Sequence, residues 1–99
     1  MHYIVVKWLH YFSEEPVLLF SELDDQGWEI RKVEVFRDGV AYFADARRHS
    51  GSTALGLLPV PDLAEIATDS QFLPREITPE EFERVWEDAL HRRTVSVVD

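Results

Sequence analysis

The sequence contains no cysteine in its 99 residues, so it offers no disulfide, no thiolate metal ligand and no cysteine nucleophile. It also has no apolar run close to the roughly 18 consecutive residues that a membrane-spanning helix requires. Its first residues, MHYIVVKWLHYF, lack the basic region, long apolar stretch and small-residue cleavage site of a secretion signal. These absences predict a soluble cytoplasmic protein that has no membrane partner.

Basic residues are scarce, because 10 Lys and Arg stand against 19 Asp and Glu and leave a formal net charge of −9. The resulting negative field repels phosphate backbones and anionic lipids, and it favours encounter with a basic molecule. We therefore expect no nucleic acid partner, and a basic protein is the partner class that the charge favours. Acidity that serves solubility alone is the alternative interpretation.

Signatures of catalysis and of cofactor binding are also missing. The four histidines form no HExxH pair. The serines stand in no GxSxG context, which is the usual setting of a hydrolase nucleophile. The sequence thus predicts no metal and no cofactor, and it favours a non-catalytic protein over an enzyme.

The segments that are present predict an α+β fold in a single domain over residues 1–99. Hydrophobic residues make up 45% of the chain and charged residues 29%, a globular balance. Four segments are rich in β-branched and aromatic residues and are separated by turn residues, namely 2–12, 17–23, 28–37 and 40–46. Helical patterns begin after Asp62 and after Thr78, where Pro79 follows at the first helical position. We expect an antiparallel four-stranded meander and then two helices packed on one face; residues 94–98 are either a fifth strand or a frayed tail.

The third strand contains an irregularity in its alternation of apolar and polar residues. The turn at Asp38-Gly39 is typical of a two-residue type I′ hairpin, and this register sets Lys32 opposite Asp45. Strand 28–37 keeps its apolar residues in phase only if one extra residue, Arg31 or Lys32, forms a β-bulge, which turns both basic side chains toward Asp45. In the alternative, no bulge forms and the two residues lie on opposite faces.

The predicted hairpin registers also create a charged row across one face of the sheet. They pair Phe12 with Val17 and Leu23 with Trp28. The row then runs in the order Lys7, Glu22, Glu29 and Arg47. Opposite charges on neighbouring strands stabilise a sheet, so a structural role for this row is the alternative to a functional one.

Apolar and aromatic side chains share the face of this row, where a solvated sheet normally carries polar ones. Apolar surface rimmed by charge is typical of interaction sites, so we predict that this face binds a partner. The predicted partner-binding residues are Lys7, Leu9, Tyr11, Phe20, Glu22, Glu29, Arg31 and Arg47. The opposite face is expected to lie under the helices, and it includes Ile4, Val6, Phe12, Val33 and Val35. Two alternatives remain open: residues 54–77 fold across the patch, or a second copy of the chain covers it in a homodimer.

The loop ARRHSGST, residues 46–53, joins basic side chains to glycine and serine. Backbone N–H groups in such a loop could hold a phosphate or a carboxylate, which makes Arg48, His49 and Ser50 candidate anion-binding residues. The loop has no P-loop context, so a solvated connection is the alternative.

Two function classes follow from these observations. The leading hypothesis is a non-catalytic protein-binding module, such as a toxin-neutralising or regulatory inhibitor, which binds a basic partner through the charged and aromatic face. The rival is a small enzyme or small-ligand-binding protein that uses Glu22, Glu29 and Arg47.

Two runs of the sequence, PVLLFSELDDQGWEIRKVEVFRDG and PREITPEEFERVW, resemble a family of short bacterial proteins with no assigned function. The resemblance spans most of the chain. It implies a small bacterial α+β domain, and it implies no activity and no binding residues.

Overall fold

The computed structural model describes residues 1–97, which form a five-stranded antiparallel sheet with two helices. In chain order the elements are β1 (His2–Trp8), β2 (Leu18–Leu23), β3 (Glu29–Val35), β4 (Ala41–Ala44), α1 (Leu63–Ile66), β5 (Phe72–Glu76) and α2 (Pro79–Leu90). The strand order β4-β3-β2-β1-β5 is a meander to which β5 is added beside β1. The predicted α+β class and meander are therefore confirmed. The fifth strand is β5, since residues 94–97 form no strand; Val98 lies outside the described residues.

Helix α2 begins where its capping residues predict. The Thr78 hydroxyl accepts a hydrogen bond from the Glu81 N–H at 3.1 Å, and the Glu81 side chain completes a capping box. Pro79 occupies the first turn, where its missing N–H costs nothing. Asp62 caps α1 in the same way by accepting from the Glu65 N–H at 2.9 Å. Both predicted helix starts are therefore confirmed. The sequence could predict them because a cap is formed by residues within a single helical turn. No helix within residues 1–97 has the length and apolar content needed to cross a bilayer.

The two helices lie on opposite faces of the sheet, not together as the sequence analysis predicts. The face under α2, called here the helix face, carries one buried cluster that includes Val5, Phe20, Val33 and Val35. The other face carries Ile4, Val6 and Leu23, against which α1 packs through Leu63 and Ile66. We call this second face the loop face. Val33 and Val35 therefore share a face with Val5, and not with Ile4 and Val6 as predicted.

The chain reaches this arrangement because β5 lies at the far edge of the sheet. After β4 the chain crosses the loop face through residues 54–60, called here the crossing segment, in which the Val60 N–H donates to the Gly27 carbonyl at 2.8 Å. It then forms α1 and β5, and α2 returns across the helix face. The crossing anticipated for residues 54–77 thus occurs, but it covers the face opposite to the predicted patch.

The hairpin between β3 and β4 has a three-residue loop in place of the predicted two-residue turn. The Gly39 N–H donates to the Phe36 carbonyl and the Phe36 N–H to the Val40 carbonyl, each at 2.9 Å. Gly39 has a φ of 88°, which suits the left-handed position that closes such a loop. The register moves by one residue, so Lys32 lies opposite Ala44 and not opposite Asp45.

The irregularity predicted in β3 is present, one residue earlier than expected. Glu22 pairs with Arg31 while Leu23 pairs with Glu29, so Ile30 is the extra residue. Because the insertion precedes Arg31, the basic doublet continues the normal alternation of the strand. Arg31 points to the helix face and Lys32 to the loop face, which corrects the expectation that both face one carboxylate.

Removal of the Phe82 ring tests the packing of the helix face. Phe82 is fully buried, with its ring centroid 5.7 Å from that of Tyr3. We expect Phe82→Ala to lower the free energy of unfolding by about 3–5 kcal/mol, because the truncation leaves a cavity. Urea titration followed by tryptophan fluorescence measures the change. Leu57→Ala is the control: Leu57 is 90% exposed, so its loss should stay within about 0.5 kcal/mol. Equal losses in both variants would contradict this packing.

Candidate functional site

Glu22 lies at the centre of a hydrogen-bonded cluster beneath α2. It is buried on β2, between Tyr3 on β1 and Arg31 on β3. The Tyr3 hydroxyl donates to Glu22 Oε2 at 2.8 Å. Arg31 donates from Nε to Oε1 at 2.6 Å and from Nη2 to Oε2 at 3.0 Å. This two-point contact is the geometry in which a guanidinium binds a carboxylate most strongly.

The same guanidinium connects the sheet to α2. Arg31 also forms an ion pair with Glu83 on the helix. Its Cζ atom lies 4.9 Å from the ring centroid of Phe82 and 5.0 Å from that of Trp86, within the range of cation–π attraction. Arg31 therefore holds β2, β3 and α2 together through a single side chain.

The contacts fix the protonation states of this cluster. The hydrogen bonds from Arg31 lower the pKa of Glu22, although burial acts in the opposite direction. The hydrogen bond to Glu22 raises the pKa of Tyr3. The pKa of Arg31 is raised chiefly by its hydrogen bonds to Glu22. At neutral pH the carboxylate is ionised and the phenol is protonated, so the cluster is suited to hold the helix and not to transfer protons.

Glu29 occupies an equivalent position on the loop face. The Ser21 hydroxyl donates to Glu29 Oε2 at 3.1 Å, and Lys32 Nζ lies 3.2 Å from Oε1. The Gly56 N–H donates to the same Oε1 at 2.6 Å, and Lys32 also donates to the Ala54 carbonyl at 3.2 Å. These bonds attach the crossing segment to the sheet, so the polar groups of this face satisfy one another.

The predicted charged row is therefore wrong. Lys7 lies opposite Leu18 and not opposite Glu22. Glu22 and Glu29 point to opposite faces, because Glu29 pairs with Leu23, whose side chain points to the face opposite to that of its neighbour Glu22. Arg47 lies on the exposed loop after β4, with its N–H bonded to Asp45 Oδ1 at 2.9 Å.

Three of the predicted partner-binding residues lie beneath α2. Phe20 is buried in the cluster under α2, and Glu22 and Arg31 bind each other there. Helix α2 thus covers the centre of the face that the sequence analysis leaves open. The predicted strand registers explain why this cover was not expected. They assign Val33 and Val35 to the loop face, so the apolar cluster against which α2 could pack is expected there and not on the helix face.

Lys7, Leu9 and Tyr11 do come together, at the end of the sheet where β1 enters its connection to β2. They line a cavity of about 520 Å³ that is open to solvent and also includes Arg37. Tyr11 is 100% exposed, Phe12 61% and Leu9 45%. Phe12, expected in the core, lines a separate cleft beside Trp8. We call residues 8–12 the aromatic end.

Hydrogen bonds hold the aromatic end in one conformation. The Phe12 N–H donates to His10 Nδ1 at 2.9 Å, so the neutral ring carries its proton on Nε2, which donates to the Pro16 carbonyl at 2.7 Å. Arg37 donates to the His10 carbonyl at 2.7 Å. The ring of Trp8 lies 4.3 Å from that of His10, centroid to centroid. The missed residues Phe12 and Arg37 lacked a sequence signal, because their positions follow from the length of this connection.

The candidate anion-binding residues close the outer edge of β4. The Ser50 N–H donates to the Phe43 carbonyl at 2.9 Å, and the Phe43 N–H donates to Ser50 Oγ at 3.0 Å. Arg48 lies over the Phe43 ring, with Cζ 5.6 Å from the centroid, and its Nε is 3.4 Å from Asp45 Oδ2. His49 lines a separate cavity that also includes Ser50. Among residues 1–97, no three His, Asp or Glu side chains are grouped as metal ligands would be.

Replacement of Glu22 tests the role of the buried pair. We expect Glu22→Gln to lower the free energy of unfolding at neutral pH by about 3 kcal/mol, because Arg31 loses its buried partner. The folded state lowers the Glu22 pKa, so the ionised carboxylate stabilises the fold above its unfolded pKa, and this contribution is lost as the pH falls below about 4. The variant should therefore show a flatter acid limb when urea stability is measured against pH. Glu83→Gln is the control, since its half-exposed side chain should cost less than about 1 kcal/mol. An unchanged acid limb in Glu22→Gln would refute this assignment.

Comparison with known proteins places the chain in a family. No curated protein and no solved structure matches the chain. A family model described as "Domain of unknown function (DUF6881)" matches residues 2–91, a range that includes all seven helices and strands of the described chain. The chain therefore belongs to the DUF6881 family, whose function is unknown.

Proposed function

We propose that this protein is a non-catalytic protein-binding module and that its binding surface is the aromatic end. The observation that carries the proposal is the exposure of Leu9, Tyr11 and Phe12 within one short connection. Burial of such a side chain at an interface is worth about 1.5–3 kcal/mol. Exposed apolar surface of this kind is typical of protein interaction sites.

The rigidity of the connection supports the same function. A binding loop that is already ordered loses less conformational entropy when it meets its partner. His10 provides this order, because it bonds to Phe12 and to Pro16 while Arg37 holds its carbonyl. A chain that needed only a turn between β1 and β2 would gain nothing from displaying three large apolar groups in a fixed position.

Charge indicates the class of partner. The net charge of −9 favours encounter with a basic protein. Glu14 and Glu15 line a cleft with Trp8 and Phe12 beside the aromatic end, so acidic groups lie where basic side chains of a partner could reach. An inhibitor that covers a basic site of a toxin or another enzyme fits this chemistry.

Strand addition at β5 is disfavoured as a binding mode. Gln71 and Ile77 form hydrogen bonds with β1 through the Leu9 N–H and the Tyr3 carbonyl. Because only every second residue of an edge strand points its N–H and C=O groups toward the neighbouring strand, those of Phe72 and Pro74 point away from the sheet. Pro74 has no N–H, and the Phe72 N–H donates to the Asp69 carbonyl at 3.0 Å. The edge thus offers few donors to a second strand. Recognition by side chains of the aromatic end is the mode that remains.

We also propose that the protein is bacterial and that it acts in the cytoplasm. The lack of cysteine fits a reducing compartment, and the bacterial origin follows from the resemblance of the two sequence runs given above. The rival function, a pocket formed by Glu22, Glu29 and Arg47, has no support from the positions of these residues, since each has its own separate surroundings.

Capture of a partner with matched variants tests the proposal. We expect the tagged wild-type chain to recover a stoichiometric basic protein from native lysate, and the purified pair to bind with an affinity that Tyr11→Ser/Phe12→Ser lowers at least about 100-fold, as the loss of two anchor residues would. Leu57→Ser/Leu58→Ser is the control: these residues are 90% and 76% exposed but lie on the crossing segment, and their loss should leave the affinity unchanged.

Three outcomes would overturn the proposal. The first is recovery of no stoichiometric partner by a chain that light scattering shows to be monomeric. The second is a homodimer that the Tyr11→Ser/Phe12→Ser variant dissociates, which would assign the surface to self-association. The third is equal loss of affinity in both double variants, which would indicate nonspecific hydrophobic binding by exposed apolar groups.

A further inference from the structure

A second open cavity lies at the opposite edge of the sheet from β5. Its volume is about 590 Å³, and it lies between β4, the loop 49–51 and the residues that follow α2. Ala41, Phe43 and Leu90 form apolar parts of its wall. His49, Arg92 and Arg93 also line it, and no Asp or Glu does. We call this cavity the basic groove.

Two basic runs that are distant in sequence contribute residues to the groove, His49 from one run and Arg92 and Arg93 from the other. The first is Arg47-Arg48-His49 after β4, and the second is His91-Arg92-Arg93 after α2. They include four of the ten Lys and Arg in a chain whose net charge is −9. The cavity near the β2–β3 turn has the opposite character, because Asp24, Asp25, Asp62 and Glu76 line it. The two cavities thus differ in the sign of the charged side chains that line them, and of the two the basic groove is the one that attracts an anion.

The basic side chains of the groove differ in their pairing. Arg93 Nε donates to Asp88 Oδ1 at 2.9 Å, so this guanidinium is partly neutralised. Within residues 1–97 the structure gives the Arg92 guanidinium and the His49 ring no hydrogen-bond or ion-pair partner. Ser50 accepts the Phe43 N–H with its oxygen, which leaves the hydroxyl proton available to donate. Arg92, His49 and Ser50 therefore offer unused donors to one cavity.

Arg92 occupies an unusual backbone conformation. Its φ is 56°, the left-handed region, and no other non-glycine residue within the described chain has a positive φ. This position directly follows the helix, where glycine or asparagine is the common choice. A left-handed arginine costs roughly 1–2 kcal/mol relative to the right-handed conformation, whereas glycine would avoid that cost. The arginine at this position therefore brings a side chain that the helix end itself does not need.

We propose that the basic groove binds a small molecule bearing a phosphate or a carboxylate group. Arg92 and His49 bind the oxyanion, the Ser50 hydroxyl donates a third hydrogen bond, and the apolar remainder of the ligand packs against Phe43 and Leu90. The volume lies within the range of small-molecule sites, about 300–1,000 Å³. This site goes beyond the proposed function, because it lies on the far edge of the sheet from the aromatic end.

Titration with two oxyanion probes tests the site. Pyrophosphate and citrate are added separately to ¹⁵N-labelled full-length protein at low ionic strength, and amide shifts are followed. We expect saturable shifts confined to residues 41–51 and 89–94 with at least one probe, and the stronger probe identifies the phosphate or the carboxylate class.

Variants at Arg92 distinguish a loss of anion affinity from a loss of protein stability. Arg92→Gln should weaken the affinity about tenfold or more, as expected for loss of a hydrogen bond to a charged group. Arg92→Gly should weaken it equally while the melting temperature stays the same or rises, because glycine accepts the left-handed backbone. Arg84→Gln is the matched control, since Arg84 is exposed on α2 and lines no wall of the groove; its affinity should equal that of the wild type.

Three results would refute the proposed anion site. They are the lack of saturable shifts with either probe, shifts that spread over basic residues outside the groove, and equal weakening of binding by Arg92→Gln and Arg84→Gln. The last two outcomes would mean that the anions respond to general charge and not to this site.

Discussion

The structure depends on the buried ion pair between Glu22 and Arg31. Removing a carboxylate and a guanidinium from water is costly, and the cost is offset only when the geometry is good and the remaining polar atoms are bonded. Both conditions hold, since Tyr3 and Glu83 complete the cluster and no buried side-chain polar atom within residues 1–97 lacks a partner. A slip of one residue in β2 would turn Glu22 to the other face and break every one of these bonds. The pair therefore specifies the register of the three central strands as well as the position of α2.

Local chemistry explains what the sequence could predict about the fold. The caps at Asp62 and Thr78 are set by residues within one helical turn, and both were identified. The sequence also predicts β1 to β4, although β1, β3 and β4 end earlier than expected, and it does not predict β5. Connection lengths could not be predicted in this way. The β1–β2 connection is held by His10 and Pro16, and the β3–β4 loop contains one residue more than its Asp-Gly signal suggests. Each error shifted a register, and together they assigned the apolar residues of β3 to the wrong face.

The candidate sites show the same division. Lys7, Leu9 and Tyr11 were correctly placed on one surface, because they alternate along a single strand and its extension. Phe20 and Glu22 were misplaced, because their exposure depends on where α2, which begins only at Pro79, returns across the sheet. The basic groove could be only half predicted: the loop containing His49 carried a visible signal, whereas its meeting with Arg92 depends on the packing direction of α2. Clusters built from distant segments become visible only when the fold is known.

The position of β1 between β2 and β5 has a consequence for how the chain folds. One edge of β1 pairs with a neighbour in sequence, but its other edge pairs Ile4 with Glu76 and Trp8 with Phe72. Closing a loop of this length has an entropic cost that must be met before the contacts can compensate, so pairing of this kind is intrinsically slow. During synthesis the outer edge of the first strand therefore remains unpaired until most of the chain has emerged. Until residues 72–76 close the sheet, that edge of β1 presents unpaired N–H and C=O groups of the kind that favour strand pairing between chains.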